Sequence, residues 1–225
     1  MKKVIFGIFA HPDDEAFGPS GTLLLETRAG TELHLITLTA GENGMNPDNH
    51  TYLRAVRLGE WRAAGNLMGA TSMRHLGYTD GELGNNAFLD IVERLETLIR
   101  DRGSRNVEVE IMSMDLNGIS GHIDHIVAAR AASYVFYRLK ADGWPVSRLR
   151  LACIPRPLAP KVDTSFVYME PGRQKDEITE TIDARCVVDE VYAIMRCHRT
   201  QRDDGEMHIK QIGEMVAVNY FIIKT

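Results

Sequence analysis

The run of apolar residues from Val4 to Ala10 constrains the fold of this chain more than any other feature. Apolar residues at every position, rather than at every second one, are typical of a central strand in a parallel sheet, because helices cover both faces of such a strand. The stretch that follows, residues 15–29, has helical spacing and ends at Gly30. A buried strand followed by a helix is the repeating unit of an α/β fold.

The same alternation continues along the chain, and it predicts a Rossmann-like α/β three-layer sandwich with a mainly parallel sheet. After Ile154, three prolines (Pro155, Pro157 and Pro160) interrupt the pattern, and we predict a small C-terminal α/β extension over residues 156–225 on a core of about residues 1–155. We expect core and extension to form a single domain. The predicted strands are 32–39, 73–77, 107–114, 149–154, 165–169 and 214–223, and the predicted helices are 51–68, 87–100, 123–140 and 190–199.

Composition and charge exclude several classes of protein. The chain has 225 residues, a formal net charge of −5 and no basic block, which argues against a nucleic-acid partner. Its longest apolar run is far shorter than the roughly 20 residues of a membrane span, and it lacks the pattern of a signal peptide. The three cysteines form no C-x-x-C pair, which favours a reducing compartment. We therefore expect a cytoplasmic protein.

A cluster of chemically capable residues directly follows the first predicted strand: His11, Asp13, Asp14 and Glu15. In open α/β sheets, ligands bind beyond the carboxyl ends of the strands, and this cluster lies there. An imidazole and a carboxylate suit zinc, while a neighbouring carboxylate can remain free as a base. The alternative is that the acidic residues only complement the dipole of the following helix.

A second cluster, His122, Asp124 and His125, follows the predicted strand 107–114 and opens another helix. Two histidines three residues apart lie on one face of a helix, so one can bind a metal while the other faces the substrate. Asp124 can orient an imidazole by hydrogen bonding. Alternatively, this cluster is an ordinary polar helix start.

Together the two clusters supply three metal ligands, His11, Asp14 and His125. Three protein ligands with an open fourth position are typical of a catalytic zinc site. Two histidines and one carboxylate also suit ferrous iron, so the residues leave the metal open between Zn²⁺ and Fe²⁺.

These motifs resemble those of the PIG-L/LmbE-like family of zinc-dependent N-acetylglucosaminyl deacetylases. The resemblance rests on AHPDDE at residues 10–15 and GHIDH at residues 121–125. It extends through TAGE at 39–42, RLGE at 57–60 and HRTQ at 198–201, which spans most of the chain.

The resemblance implies a role for each of these positions. His11, Asp14 and His125 would be the metal ligands and Asp13 the general base. His122 would stabilise the oxyanion or protonate the leaving amine, with Asp124 behind it. Arg57, Asp80 and His198 would contact the sugar. For these last three, ordinary alternatives are an ion pair of Arg57 with a helix carboxylate such as Glu60, a turn at Asp80 and a surface position for His198.

The sequence therefore predicts a hydrolase that removes an acetyl or other acyl group from the amide nitrogen of an N-acetylglucosamine-type amino sugar or a related conjugate, with a metal-activated water and Asp13 as general base. Two alternatives stay open: an amidase that acts on a non-sugar amide, and a non-catalytic metal- and sugar-binding module of the same fold. The expected partner is a small N-acylated sugar, and a homo-oligomer is possible.

Overall fold

The computed structural model of the chain describes residues 2–159 and 172–225, in which one sheet of seven strands carries helices on both faces. The order across the sheet is β3-β2-β1-β4-β5-β7-β6, and the first five of these strands are parallel. The strands are β1 Lys3–Phe9, β2 Glu32–Thr39, β3 Ser72–Tyr78, β4 Glu108–Met114, β5 Val146–Cys153, β6 Glu180–Asp183 and β7 Val218–Lys224.

Eight α-helices accompany these strands in the described residues. They are α1 Asp14–Phe17, α2 Ser20–Arg28, α3 Leu53–Leu67, α4 Asn85–Arg102, α5 Gly118–Gly121, α6 Ile123–Ala141, α7 Val188–Met195 and α8 Arg202–Ile212. None of the helices in this part of the chain has the length and apolar character needed to cross a membrane.

Each face of the sheet has its own hydrophobic core, which makes the molecule a three-layer sandwich, as predicted. On one face, α4 and α6 bury aliphatic and aromatic side chains such as Leu95 and Phe136 against β1, β4 and β5. On the other face, α2, α3 and α7 bury residues such as Leu23, Trp61 and Ile194. Burying side chains of this size stabilises the fold by about 1.5–3 kcal/mol each.

The chain reverses its direction of travel across the sheet at β1. Strands β2 and β3 are added on one side of β1, whereas α4 crosses back over the sheet and β4 is added on the other side. At such a switch point the loops after neighbouring strands diverge and leave a crevice at the carboxyl edge. The loops after β1 and β4, which carry the two predicted clusters, flank this crevice.

The predicted helix over residues 15–29 is wrong in one respect, because the structure breaks it into α1 and α2. The break falls at Gly18 and Pro19. A proline inside a helix lacks the backbone N–H and its ring clashes with the preceding turn, so α2 begins only after Pro19. The short α1 keeps Asp14 and Glu15 close to the end of β1.

The C-terminal extension differs from the prediction in its details. Helix α7 ends at Met195 rather than at residue 199, and residues 213–217 form a 3₁₀ helix before β7 begins. The short strand β6 and helix α8 were not predicted, and the predicted strand 165–169 lies outside the described residues. Strand β7 pairs antiparallel with β5, so the extension completes the same sheet.

Candidate metal and catalytic site

The two predicted clusters meet at the carboxyl edge of the sheet. His11 follows β1 and His125 lies in the first turn of α6, and His11 Nδ1 is 3.0 Å from His125 Nε2. Asp14 approaches both rings, with Oδ1 3.2 Å from His125 Nε2 and Oδ2 4.0 Å from His11 Nδ1. Residues that are 114 positions apart in sequence therefore present three donor groups to one point.

The outer nitrogen of each imidazole is already bound to an acceptor. His11 Nε2 lies 3.0 Å from Asp80 Oδ1 and 3.2 Å from Asp124 Oδ2, and His125 Nδ1 lies 3.1 Å from the carbonyl oxygen of Gly118. In neutral rings these contacts place the protons on the outer nitrogens, so lone pairs face each other across the 3.0 Å gap. Two facing lone pairs require a cation between them, either a proton or a metal ion.

The donor set fits a divalent metal. Imidazole nitrogen and carboxylate oxygen are ligands of both zinc and ferrous iron, and the carboxylate or carbonyl behind each imidazole is typical of metal-binding histidines. His122 lies beside the pair, with its ring 4.9 Å from that of His11 and 4.8 Å from that of His125. His11, His122 and His125 each offer a nitrogen within 4.8 Å of the others, so His122 is an alternative third donor.

Asp14 is fixed by the backbone as well as by the histidines. Its Oδ2 accepts hydrogen bonds from the backbone N–H groups of Ala10 and His11, both at 3.0 Å. Burial alone would raise the pKa of Asp14, but His125 and His11 outweigh burial and hold it well below its usual range. Asp14 is therefore a carboxylate at neutral pH, as a metal ligand must be.

Asp13 has a different environment from its neighbour. Its Oδ2 accepts a hydrogen bond of 2.9 Å from the Arg57 guanidinium. Burial raises the pKa of Asp13 to about 6, despite the opposing effect of Arg57. A carboxylate with a pKa near 6 is ionised at neutral pH and is still basic enough to take up a proton, which suits a general base.

His122 is placed so that it can donate one hydrogen bond. Its Nδ1 accepts a hydrogen bond of 3.2 Å from the backbone N–H of Asp124, which puts the proton of a neutral ring on Nε2. Burial, together with the nearby His125 and His11, lowers the pKa of His122. The lowered pKa favours the neutral ring, in which Nε2–H is the group that would stabilise an oxyanion.

The structure places Asp124 behind His11 and not, as predicted, behind His122. Its Oδ2 accepts from the Gly81 N–H at 2.8 Å and contacts His11 Nε2, and its Oδ1 accepts from the Leu83 N–H at 3.2 Å. Asp80 supports the same nitrogen of His11, and the Asn43 N–H holds the other Asp80 oxygen at 3.0 Å. Because the two carboxylates are occupied in this way, we interpret them as groups that orient His11.

The three residues predicted to contact a sugar are all buried and bound to other parts of the protein. Arg57 is 3% exposed and donates to the carbonyl groups of Gly41 and Pro12 as well as to Asp13. Asp80 contacts His11, and His198 Nε2 lies 2.9 Å from Glu15 Oε1. In this structure, therefore, these side chains contact the site residues or their neighbours.

Sequence reasoning missed several supporting groups. Glu15 was placed in the first cluster without a specific role, yet it contacts both the Asp13 backbone and His198. Glu60 accepts hydrogen bonds from Thr200, and the Gly118 carbonyl orients His125. Two of these contacts, Glu15 with His198 and Glu60 with Thr200, join segments that are brought together only by the fold, so the spacing of the residues gives no signal of them.

Comparison with known proteins decides the family. A sequence model of the PIG-L family, described as GlcNAc-PI de-N-acetylase, matches residues 6–136. The chain is 31% identical to a 1D-myo-inositol 2-acetamido-2-deoxy-alpha-D-glucopyranoside deacetylase from Acidothermus cellulolyticus, and the match covers 99% of this chain and 89% of that protein. The chain belongs to the PIG-L family. The matched residues include both halves of the candidate metal site.

Solved structures share the fold of this PIG-L family member. The N,N'-diacetylchitobiose deacetylase from Pyrococcus horikoshii superposes with a TM-score of 0.71 at 17% identity and covers 99% of this chain and 83% of its own. A 4-carboxy-2-hydroxymuconate hydratase from Pseudomonas putida KT2440 has a TM-score of 0.72 at 18% identity, with 100% and 97% covered. The two neighbours carry out different reactions, so the fold alone does not determine the activity.

Proposed function

We propose that this protein is a zinc-dependent hydrolase that removes the acetyl group from the nitrogen of an N-acetylglucosamine-type amino sugar. The observation that carries the proposal is the pair of facing imidazole nitrogens, His11 Nδ1 and His125 Nε2, with Asp14 beside them and Asp13 next to Asp14. A binding module needs no buried base beside a metal site. The name of the Acidothermus relative supports the substrate class.

His11, Asp14 and His125 would hold the metal, which we propose to be zinc, with ferrous iron also suited to these donors. When bound, the metal would lower the pKa of a coordinated water to about 7 and polarise the amide carbonyl.

The chain's own residues would then handle the protons and the developing charge. Asp13 takes a proton from the attacking water, and Arg57 holds its carboxylate in place. His122 donates Nε2–H to the oxygen of the tetrahedral intermediate. Because the pKa of Asp13 is raised to about 6, the protonated Asp13 is a suitable acid to deliver a proton to the leaving amine. The products are acetate and the free amine.

A groove beside the site offers room for the group attached to the amino sugar. Its volume is about 640 Å³, and it lies between the loop after β2 and the start of α3. Tyr52, at its edge, is 78% exposed. Asn43 and Gly44 line the groove. The Asn43 N–H donates to Asp80, and Gly44 lies next to Arg57, so the groove adjoins the residues that contact His11 and Asp13. We propose that the second ring of a sugar conjugate binds here.

The test is a release assay for acetate with zinc-loaded protein on three substrates: N-acetylglucosamine, its α-glycoside with inositol, and an N-acetylated amine without a sugar. We expect the highest kcat/KM for the conjugate. Asp13→Asn should lower kcat by about 100-fold or more while the metal content stays unchanged, the usual scale for a general base.

Three outcomes would contradict parts of the proposal. Release from the non-sugar amide alone would favour the amidase alternative. No release from any substrate, with metal bound, would favour a non-catalytic module. Normal turnover by Asp13→Asn would remove Asp13 from the role of base.

A further inference from the structure

The backbone of Asp13 adopts a conformation that side-chain-bearing residues rarely take. Its φ is 119° and its ψ is −27°. Among the described residues, only Asn49 and Ile119 are other non-glycine residues with positive φ. Such a conformation is strained and persists only where surrounding contacts hold it. The position of the Asp13 carboxylate therefore depends on whatever holds this backbone.

A buried carboxylate, that of Glu15, holds the backbone of Asp13. The backbone N–H of Asp13 donates to Glu15 Oε2 at 3.2 Å, and the other oxygen, Glu15 Oε1, lies 2.9 Å from His198 Nε2. The side chains of Glu15 and His198 are both 0% exposed, so neither can reach a substrate. Burial opposes a charge on His198, but Glu15, with Asp13 and Glu60 nearby, outweighs burial and raises the pKa of His198.

The C-terminal part of the chain supplies His198 and fixes it in place. The His198 ring packs edge-on against Phe17, with centroids 6.0 Å apart. Two residues later, the Thr200 N–H and hydroxyl donate to Glu60 at 3.0 and 2.7 Å. Glu60 lies on α3, the helix that also carries Arg57. One C-terminal segment is thus bound both to Glu15 and to the helix that holds the Asp13 carboxylate.

We infer that Glu15 and His198 are positioning residues that hold Asp13 in its left-handed conformation and so aim its carboxylate at the metal site. Glu15 connects Asp13 to His198, because one of its oxygens binds the Asp13 backbone and the other binds His198. This inference rests on the proposed function in one respect, the role of Asp13 as base. It assigns His198 a part in turnover without any contact with substrate.

The first test compares two substitutions of His198. His198→Leu removes the group that donates to Glu15, whereas His198→Gln keeps a donor at nearly the position of Nε2. We expect His198→Leu to lower kcat by at least about 10-fold, since a misplacement of 1 Å can cost about 100-fold. KM and metal content should stay close to those of the wild type. His198→Gln should recover most of the lost kcat, which a role in packing alone would not predict.

Arg196→Ala is the matched control. It breaks the exposed ion pair with Glu206 two residues before His198 but leaves the contacts among Asp13, Glu15 and His198 intact, so its kcat should remain near that of the wild type. An unchanged kcat in His198→Leu would overturn the inference. So would an equal loss in the Leu and Gln variants, or an equal loss in Arg196→Ala.

A crystal structure of His198→Leu provides a readout that does not depend on turnover. We expect the Asp13 φ to leave the positive region, and a φ that stays near 119° would overturn the inference even if no substrate were hydrolysed. If the wild-type protein released no acetate from any substrate, that result would instead count against the proposed function. If the single variant does not fold, Glu15→Met/His198→Leu replaces it in both experiments, because removing both partners leaves no unpaired buried charge.

Discussion

At the residue scale, the contacts of Asp124 explain why a carboxylate that is not a ligand should matter for metal binding. It accepts hydrogen bonds from two backbone N–H groups and contacts the outer nitrogen of His11. In Asp124→Asn, an NH₂ group replaces one of the two oxygens that accept hydrogen bonds. This NH₂ group would face N–H donors that it cannot accept from, and the support for the Nε2–H tautomer of His11 would be disturbed. We expect metal affinity to fall about 10- to 100-fold, the usual effect of losing such a support.

The measurement is competition with a metal-chelating dye, and Asp101→Asn on the surface of α4 is the control. Equal affinities for wild type and Asp124→Asn would show that Asp80 orients His11 without help.

The protonation of His11 predicts how metal binding depends on pH. Burial opposes the charge on His11, but hydrogen bonds to Asp124 and Asp80 outweigh it and raise the pKa to about 10. Below that pH the metal-free site holds a proton that the metal must displace. We expect release of about one proton per metal bound, so affinity should rise about tenfold per pH unit between pH 6.5 and 8.5. Calorimetry in two buffers of different ionisation enthalpy measures the released protons. A metal affinity that is independent of pH would contradict a protonated His11 in the metal-free site.

The sequence predicted the convergence of His11, Asp14 and His125 because each follows a buried strand or opens a helix at the same edge of the sheet. It did not predict the partners of Arg57, Asp80 and His198. Each of these pairs with a residue from a different segment, such as Glu15 with His198, 183 positions apart. Local spacing carries no information about such pairs.

At the element scale, the loop after β2 approaches Arg57 so closely that a side chain at Gly44 would force the guanidinium to move. A Cβ at Gly44 would overlap the Arg57 guanidinium, which holds the Asp13 carboxylate. We therefore expect Gly44→Ala to displace Arg57 and lower kcat/KM by about 10-fold or more, as small misplacements do.

The control is Gly59→Ala on α3, where nothing lies within 4 Å of an added Cβ. Alanine is favoured over glycine in a helix by about 0.8–1.0 kcal/mol, so this variant should be as active as the wild type and slightly more stable. Full activity of Gly44→Ala would show that Arg57 is not needed where the structure places it.

The elements that the sequence failed to predict share a physical reason. Strand β6 has only four residues with alternating exposure, and its pairing with β7 decides its conformation. Helix α8 contains Gly205 and two adjacent aspartates, which are poor helix formers. The three longest helices, α3, α4 and α6, were predicted to within two residues at each end.

At the scale of the whole molecule, a buried ionic network joins the C-terminal extension to the parallel core. Glu110 on β4 is 1% exposed and contacts Arg148 at 2.8 Å and Arg150 at 3.2 Å. Arg150 in turn contacts Glu26 on α2 and Glu180 on β6. The network therefore links elements from both parts of the chain.

Removing one member of this network should destabilise the fold. Glu110→Ala removes one of three carboxylates that contact Arg150, so we expect a loss of stability smaller than the about 3–5 kcal/mol of a fully uncompensated buried charge. Denaturant unfolding measures the change, and Arg28→Ala, which breaks the exposed pair with Glu190, should have little effect. Equal stabilities of Glu110→Ala and the wild type would show that the network contributes nothing.

The measurement that tests the central claim most directly is metal stoichiometry by elemental analysis of the purified protein, with wild type, His125→Ala and His122→Ala side by side. The account predicts about one zinc or iron per chain in the wild type and in His122→Ala, and loss of the metal in His125→Ala. Metal retained by His125→Ala, or a wild type that binds none when supplied with zinc, would contradict the three-ligand site and the hydrolytic function built on it.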